Sequence, residues 1–349
     1  MLSSVLRRRA GAARTPARER ADEYADLCRA RLEHLVPVCE PLVLVSQVQR
    51  SGGTLLSQLF DGHPECHAHP SEIYIGHPKK WNWPGLDLGT PGRWFELLYE
   101  RPVELHLHEG YVKEKEARNE PDHEVFPFLF LPGLQRRIFD ACVEARTPQS
   151  ERDVLDCYFT SYFNAWLDNQ NLYPGPKKVV TGFTPRLATE AANVERFFAA
   201  YLDGTLISLV RDPRGWYASA RAYRSSQYED LDEAMGVWAR SAEAALEARA
   251  RFGERVLVLT YEQLVLETEV TMRRVAERIG ISMAPVLLVP TFNGRPVRAN
   301  SSDRTAGHGI VAERAVAYRD TIDEETSARI GELAGDLYAR AAALAAEQL

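Results

Sequence analysis

Residues 41–72, PLVLVSQVQRSGGTLLSQLFDGHPECHAHPSE, place an apolar run before a glycine turn and an amphipathic segment after it. That order reads as strand, turn, helix. Residues 41–45 have the length and β-branched content of a strand buried on both faces, and Leu55, Leu56, Leu59 and Phe60 follow at helical spacing. Between them lies Arg50-Ser51-Gly52-Gly53-Thr54. Backbone N–H groups of a glycine turn that opens a helix converge on one point, and the helix dipole adds positive charge there, so an anion is the natural ligand. Arg50 contributes a full charge and a planar fork suited to phosphate-like or sulfate-like oxygens. On this stretch alone, a turn that merely joins strand to helix stays open as the alternative.

The loop departs from the usual nucleotide triphosphatase pattern. A G-x-x-x-x-G-K-[ST] match ending at Thr54 would need glycine at Gln47 and lysine at Gly53. Both are missing.

Across 349 residues, 45% are hydrophobic and 26% charged, which suits one large soluble α/β domain. The net charge of −7 argues against general affinity for nucleic acid, so any anion site is local. Five dispersed cysteines without C-x-x-C spacing suggest neither a disulfide framework nor a zinc knuckle, and fit a reducing compartment. No run of about 18 apolar residues occurs, so the expectation is a cytoplasmic protein without a transmembrane segment. Residues 1–20 read as a basic, disordered tail, a transit peptide being the other reading, and 21–349 as a single domain.

Along the chain, residues 21–36 form one amphipathic face, and His67, His69 and Glu72 follow the loop helix, where they can fold back over its ligand. From about 80 to 175 the sequence is irregular and aromatic, with helices at roughly 133–145 and 151–170, and reads as a largely helical insertion that shapes a substrate pocket. Trp81 and Trp83 are candidates to stack on an acceptor, with packing between insertion and core as the equal alternative. Strand and helix then alternate: strands at 178–183, 205–210 and 256–259, helices at 188–201, from Pro213, at 231–251 and at 262–279. The expected fold is α/β, around a mostly parallel sheet. Thr321, three residues ahead of Glu324, has capping-box spacing for a last helix.

Residues 205–224, TLISLVRDPRGWYASARAYR, repeat the opening theme: a strand delivers Arg211 at its end, and the next helix carries Ser219 eight positions later. Ligands of parallel sheets collect beyond the carboxyl ends of strands, so these two are candidates to grip a second phosphate. The alternative is that Arg211 pairs with Asp212 or a neighbouring helix.

With both stretches in view, the chain resembles the sulfotransferases that use 3′-phosphoadenosine 5′-phosphosulfate (PAPS). VSQVQRSGGTLLSQLFDGHPE resembles the 5′-phosphosulfate loop of that family, in the Arg-Ser-Gly version of tyrosylprotein and several bacterial and carbohydrate members. LVRDPRGWYASA is similar to its 3′-phosphate motif, and VLVLTYEQLVLETEVTMRRVAERIGI to the strand and helix that follow. These pieces cover roughly 41–72 and 178–281. The resemblance implies a P-loop NTPase-like three-layer fold, and sulfuryl transfer from PAPS, leaving adenosine 3′,5′-bisphosphate (PAP), to a hydroxyl or amine of a small-molecule or glycan acceptor, with no metal required. It also implies that Ser51, Gly52, Gly53, Thr54 and Leu55 cradle the 5′-phosphosulfate with their backbone, that Arg50 neutralises it, and that Arg211 and Ser219 bind the 3′-phosphate. Tyr261 is placed near the adenine, and Arg304, in the segment 300–309, is the candidate for a late 3′-phosphate contact.

The acceptor must lose a proton, and Glu72, His69 and His67 are the candidate bases. Glu72 matches, one residue displaced, the glutamate base of tyrosylprotein members, while His106 or His108 would answer to the histidine of cytosolic small-molecule members. His67-x-His69 with Glu72 also admits a zinc reading, which no H-E-x-x-H signature supports. A nucleotide-dependent P-loop kinase and a non-catalytic nucleotide-binding protein are the alternatives from other classes. The sequence leaves the acceptor and the oligomeric state open.

Overall fold

The computed structural model describes residues 16–80, 82–100, 125–297 and 309–348. Helix α1 (Pro16–Glu33) precedes strand β1 (Leu42–Ser46), and so takes in part of the stretch expected to be a tail. The loop then leads into α2 (Gly53–Phe60), β2 (Cys66–Glu72) and the short α3 (Trp94–Leu98). Next come α4 (Pro132–Arg146), α5 (Glu151–Ala165), β3 (Val179–Phe183), α6 (Ala191–Ala200) and β4 (Thr205–Val210). The last part holds α7 (Pro213–Tyr223), α8 (Leu231–Phe252), β5 (Val256–Thr260), α9 (Tyr261–Leu266), α10 (Thr268–Ile279) and α11 (Glu324–Gln348).

The five strands form one parallel sheet in the order β2-β3-β1-β4-β5. Side chains alternate across a strand, so each face of a doubly buried strand needs its own core. In β1, Leu42 and Leu44 enter a core shared with α5 and α8, while Val43 and Val45 enter a second core with α2, α9 and α10. The result is the three-layer α/β/α arrangement expected of the sequence. Because β1 is central, with Leu44 opposite both Gly182 of β3 and Leu206 of β4, the glycine loop leaves the sheet at its middle.

Two local expectations change. The helix expected over 262–279 is two helices that meet at Glu267, whose φ of −129° and ψ of 40° leave the helical region. The last helix is capped by Asp323, whose Oδ1 accepts from the Thr326 N–H at 2.7 Å, whereas the Thr321 hydroxyl donates back to the Tyr318 carbonyl. Helix α5 is buried along most of its length and packs on α4 and the sheet, a core element more than a peripheral one. Trp83 is 3% exposed and tilts against Phe197 at 5.6 Å, in the packing role; Trp81 lies outside the described residues.

Candidate active site

The glycine loop is shaped by two close approaches. Gly52 has φ +96°, and a Cβ there would lie 2.6 Å from Cδ2 of Tyr261, so only glycine fits both the backbone and the ring beneath it. At Gly53 a Cβ would lie 2.3 Å from the carboxamide of Gln47. Gln47 thus fills the space over Gly53, and the two departures from the triphosphatase pattern are one packing arrangement. The loop opens α2, whose first N–H groups have no acceptor within the helix and face outward with the positive end of the dipole. Two buried polar atoms, Ser51 Oγ and Gln47 Oε1, have no hydrogen-bond partner in the protein. Buried polar groups are nearly always paired, so such atoms beside converging N–H groups mark a place for a polar ligand.

Arg50 also has positive φ, +71°, which turns its side chain across the loop towards α7. There its Nε donates to Ser219 Oγ at 3.1 Å and its guanidinium lies 5.1 Å from the Tyr223 ring centre. Arg211, at the end of β4, is 8% exposed and donates from Nη1 to the Arg50 carbonyl at 2.9 Å and from Nη2 to the Arg314 carbonyl at 3.2 Å. Its guanidinium covers the Tyr261 ring at 4.3 Å, and its Nε is buried without a partner. Burial pushes the Arg211 guanidinium below its ordinary pKa, with nearby Glu262 acting in the opposite direction. Glu262 is itself raised by burial and accepts from Asp212 N and Tyr338 Oη.

The residues expected to grip two separate phosphates are therefore joined: Arg50 reaches Ser219, and Arg211 holds the Arg50 backbone. Asp212, the alternative partner for Arg211, instead caps α7 by accepting from Arg214 N at 2.8 Å. Arg304, His106 and His108 lie outside the described residues. Arg314, which the sequence did not single out, reaches this corner, and its charge acts on both Arg211 and Tyr261. A lone arginine in a short 3₁₀ turn carries no motif that would have pointed to it.

Glu72 ends β2, opposite Phe183, after a register shift between Ala68 and Glu72. Its carboxylate is partly exposed and pairs with Lys80 at 2.9 Å. His67 and His69 lie in β2 itself, 1% and 4% exposed, with rings against Phe163 and Tyr162 of α5. His69 Nδ1 lies 2.8 Å from the Ser71 carbonyl. Burial lowers the pKa of His67 to about 3 and of His69 to about 4. Among the described residues no group of three or more His, Cys, Asp or Glu side chains is placed to hold a metal.

Sequence reasoning also passed over Arg186. It follows β3 as Arg211 follows β4, has φ +64°, and donates from Nε to Gln49 Oε1 at 2.9 Å. The rule that singled out Arg211, a cation delivered at the carboxyl end of a parallel strand, would have found it.

The model of the sulfotransferase family matches residues 41–285, a span that takes in every strand of the sheet, the glycine loop, Glu72, Arg211 and Tyr261. Among solved structures, the chain is similar to the sulfotransferase domain from the curacin biosynthetic pathway, at 16% identity over 84% of this chain and 96% of that one, with a TM-score of 0.45. The sulfotransferase domain of the Synechococcus PCC 7002 olefin synthase gives 16% identity, 86% and 95% coverage, and a TM-score of 0.45. For the sulfotransferase from Alicyclobacillus acidocaldarius the figures are 12%, 87% and 96%, and 0.42. No curated protein matches the chain. By the family match over most of its length, the chain belongs to the sulfotransferase family and is a transferase.

Proposed function

We propose that the donor is PAPS and that the chain transfers its sulfuryl group to a hydroxyl or amine of a small-molecule acceptor. The observation that carries this reading is the joined pair of cation sites: Ser51 Oγ and Arg211 Nε are both buried and unpartnered, Arg211 holds the Arg50 carbonyl, and the Arg50 side chain reaches Ser219. Those residues fit a ligand with an anionic group at each end. Bound there, PAPS supplies an activated sulfuryl group with a phosphate as leaving group.

The protein's part is positioning and charge stabilisation, as in phosphoryl transfer. The N–H groups of Ser51 to Leu55 and the Arg50 guanidinium receive the 5′ end; Leu55 adds only its backbone, since its side chain is 7% exposed in the core. Arg211 and Ser219 receive the 3′-phosphate, with Arg314 alongside, while Tyr261 supports both Gly52 and Arg211. Glu72 is the base that takes the acceptor proton. Its exposure at the carboxyl end of β2, two strands from the loop and so about 10 Å away, leaves room for an acceptor between them. His69, stacked and enclosed, has no comparable opening.

Calorimetric titration with PAP and PAPS tests the donor. Binding of both that is weakened in Arg211→Gln supports the reading; no binding of either would overturn it.

A further inference from the structure

The cations that the donor does not need collect on the other flank of β1. Arg186 follows β3, its N–H donating to the Gln47 carbonyl and its Nε to Gln49 Oε1, both at 2.9 Å. Helix α8, which carries Arg240, packs on the 3₁₀ turn Leu187–Thr189 that follows Arg186. Lys79 sits in the segment after β2, and Arg224 at the end of α7. These four cations come from four parts of the fold and act on one another. Arg186 and Arg240 both depress the Lys79 ammonium, and Arg240 and Arg224 both depress the Arg186 guanidinium, on which burial acts most. Among the described residues none of the four has a carboxylate partner. Arg186 bonds to a carboxamide and faces the Tyr228 phenol; the Arg224 guanidinium bonds to Gln227.

Like charges raise one another's free energy, and a partly buried guanidinium with only neutral partners forfeits solvation without recovering it from a counter-charge. A planar oxyanion held by the fork removes both penalties. The place is adjacent to the proposed base, because Lys80, next to Lys79 in the chain, pairs with Glu72 at 2.9 Å.

We propose that Arg186, with Arg240 and Lys79, binds an oxyanion carried by the acceptor, so that the acceptor is an anionic hydroxyl or amine compound presented to Glu72 by its charged end. This rests on the donor occupying the opposite flank, between the loop and Arg211.

The test uses the full chain saturated with PAP, into which phenyl phosphate, phenyl sulfate and benzoate are titrated by calorimetry, with benzyl alcohol as the neutral control. At least one anion binds about tenfold or more tighter than benzyl alcohol, as charge-assisted hydrogen bonds allow, and the tightest of the three names the acceptor's charged group. Arg186→Gln removes that preference without changing PAP affinity. Arg240→Gln, an exposed position whose variant keeps the fold, reduces it less, and added salt weakens it in the parent chain. Benzyl alcohol binding as tightly as every anion, or an anion preference that survives in both variants, would overturn the proposal. Failure of PAP to bind would count against the donor reading alone, since comparing each variant with the parent still reads the anion site.

Discussion

The two flanks of β1 carry cations of the same kind in opposite states. Towards β4 and β5, Arg211 is enclosed, held by two backbone carbonyls and a ring, and linked to Arg50. Towards β3 and β2, Arg186 is partly buried against the Gln49 carboxamide and the Tyr228 phenol, while Lys79 and Arg240 are exposed. A cation fixed by backbone before a ligand arrives binds without further ordering cost, which suits a ligand that is the same in every turnover. Looser cations on side-chain contacts suit recognition of the variable partner. On the proposed reading, donor affinity belongs to one flank and acceptor chemistry to the other.

That division is open to direct attack. Glu72→Gln is expected to lower kcat by about 10²- to 10⁴-fold, the usual contribution of a positioned base, with PAP affinity unchanged by calorimetry. Intact turnover in this variant would remove Glu72 from the reaction. Arg50→Ala, at the junction of the flanks, is expected to cost about 10²- to 10³-fold in kcat, comparable to losing one donor to a developing charge, and to weaken PAP as well. Arg211→Gln is expected to raise the PAP dissociation constant by about tenfold to a hundredfold while kcat at saturating donor stays near the parent value. A kcat loss as large as that of Glu72→Gln would erase the distinction between the flanks. Gly52→Ala is expected to destabilise the chain by about 1–3 kcal/mol through left-handed backbone strain and contact with Tyr261, seen as a lower Tm.

Acid sensitivity belongs to the β2 side. His67, His69 and His77 have pKa values lowered by burial to about 3, 4 and 4, so the folded chain holds them neutral while the unfolded chain protonates them near their ordinary value. The contribution of these three histidines to stability is then fully present well above about pH 6.5 and is lost as pH drops towards 4. Urea midpoints measured across that range should decline in the parent chain and decline less in His69→Phe.

Much of this was legible in the sequence, for identifiable reasons. β1 with its loop, and β4 with Arg211 and Ser219, combine an apolar strand with a helix start, and both signals are local; the expected strand at 205–210 coincides with β4. β2 escaped notice because CHAHPSE has no β-branched residue and carries a proline, and its place at the sheet edge comes from pairing with β3 over a hundred positions away. The break at Glu267 has no glycine or proline to announce it. Arg314 needed the fold to bring it to the loop, whereas Arg186 follows a strand as Arg211 does and was open to the same rule.

One consequence of the Gln47 and Gly53 contact concerns the routes by which this loop could change. Lysine at position 53 alone would collide with the carboxamide, and glycine at position 47 alone would leave a void over α2. The far end of the Gln47 side chain must shift to admit a larger residue at position 53, so the two positions are coupled. What this loop can become thus depends on both positions at once, and a double-mutant cycle on thermal stability would measure how strongly they are coupled.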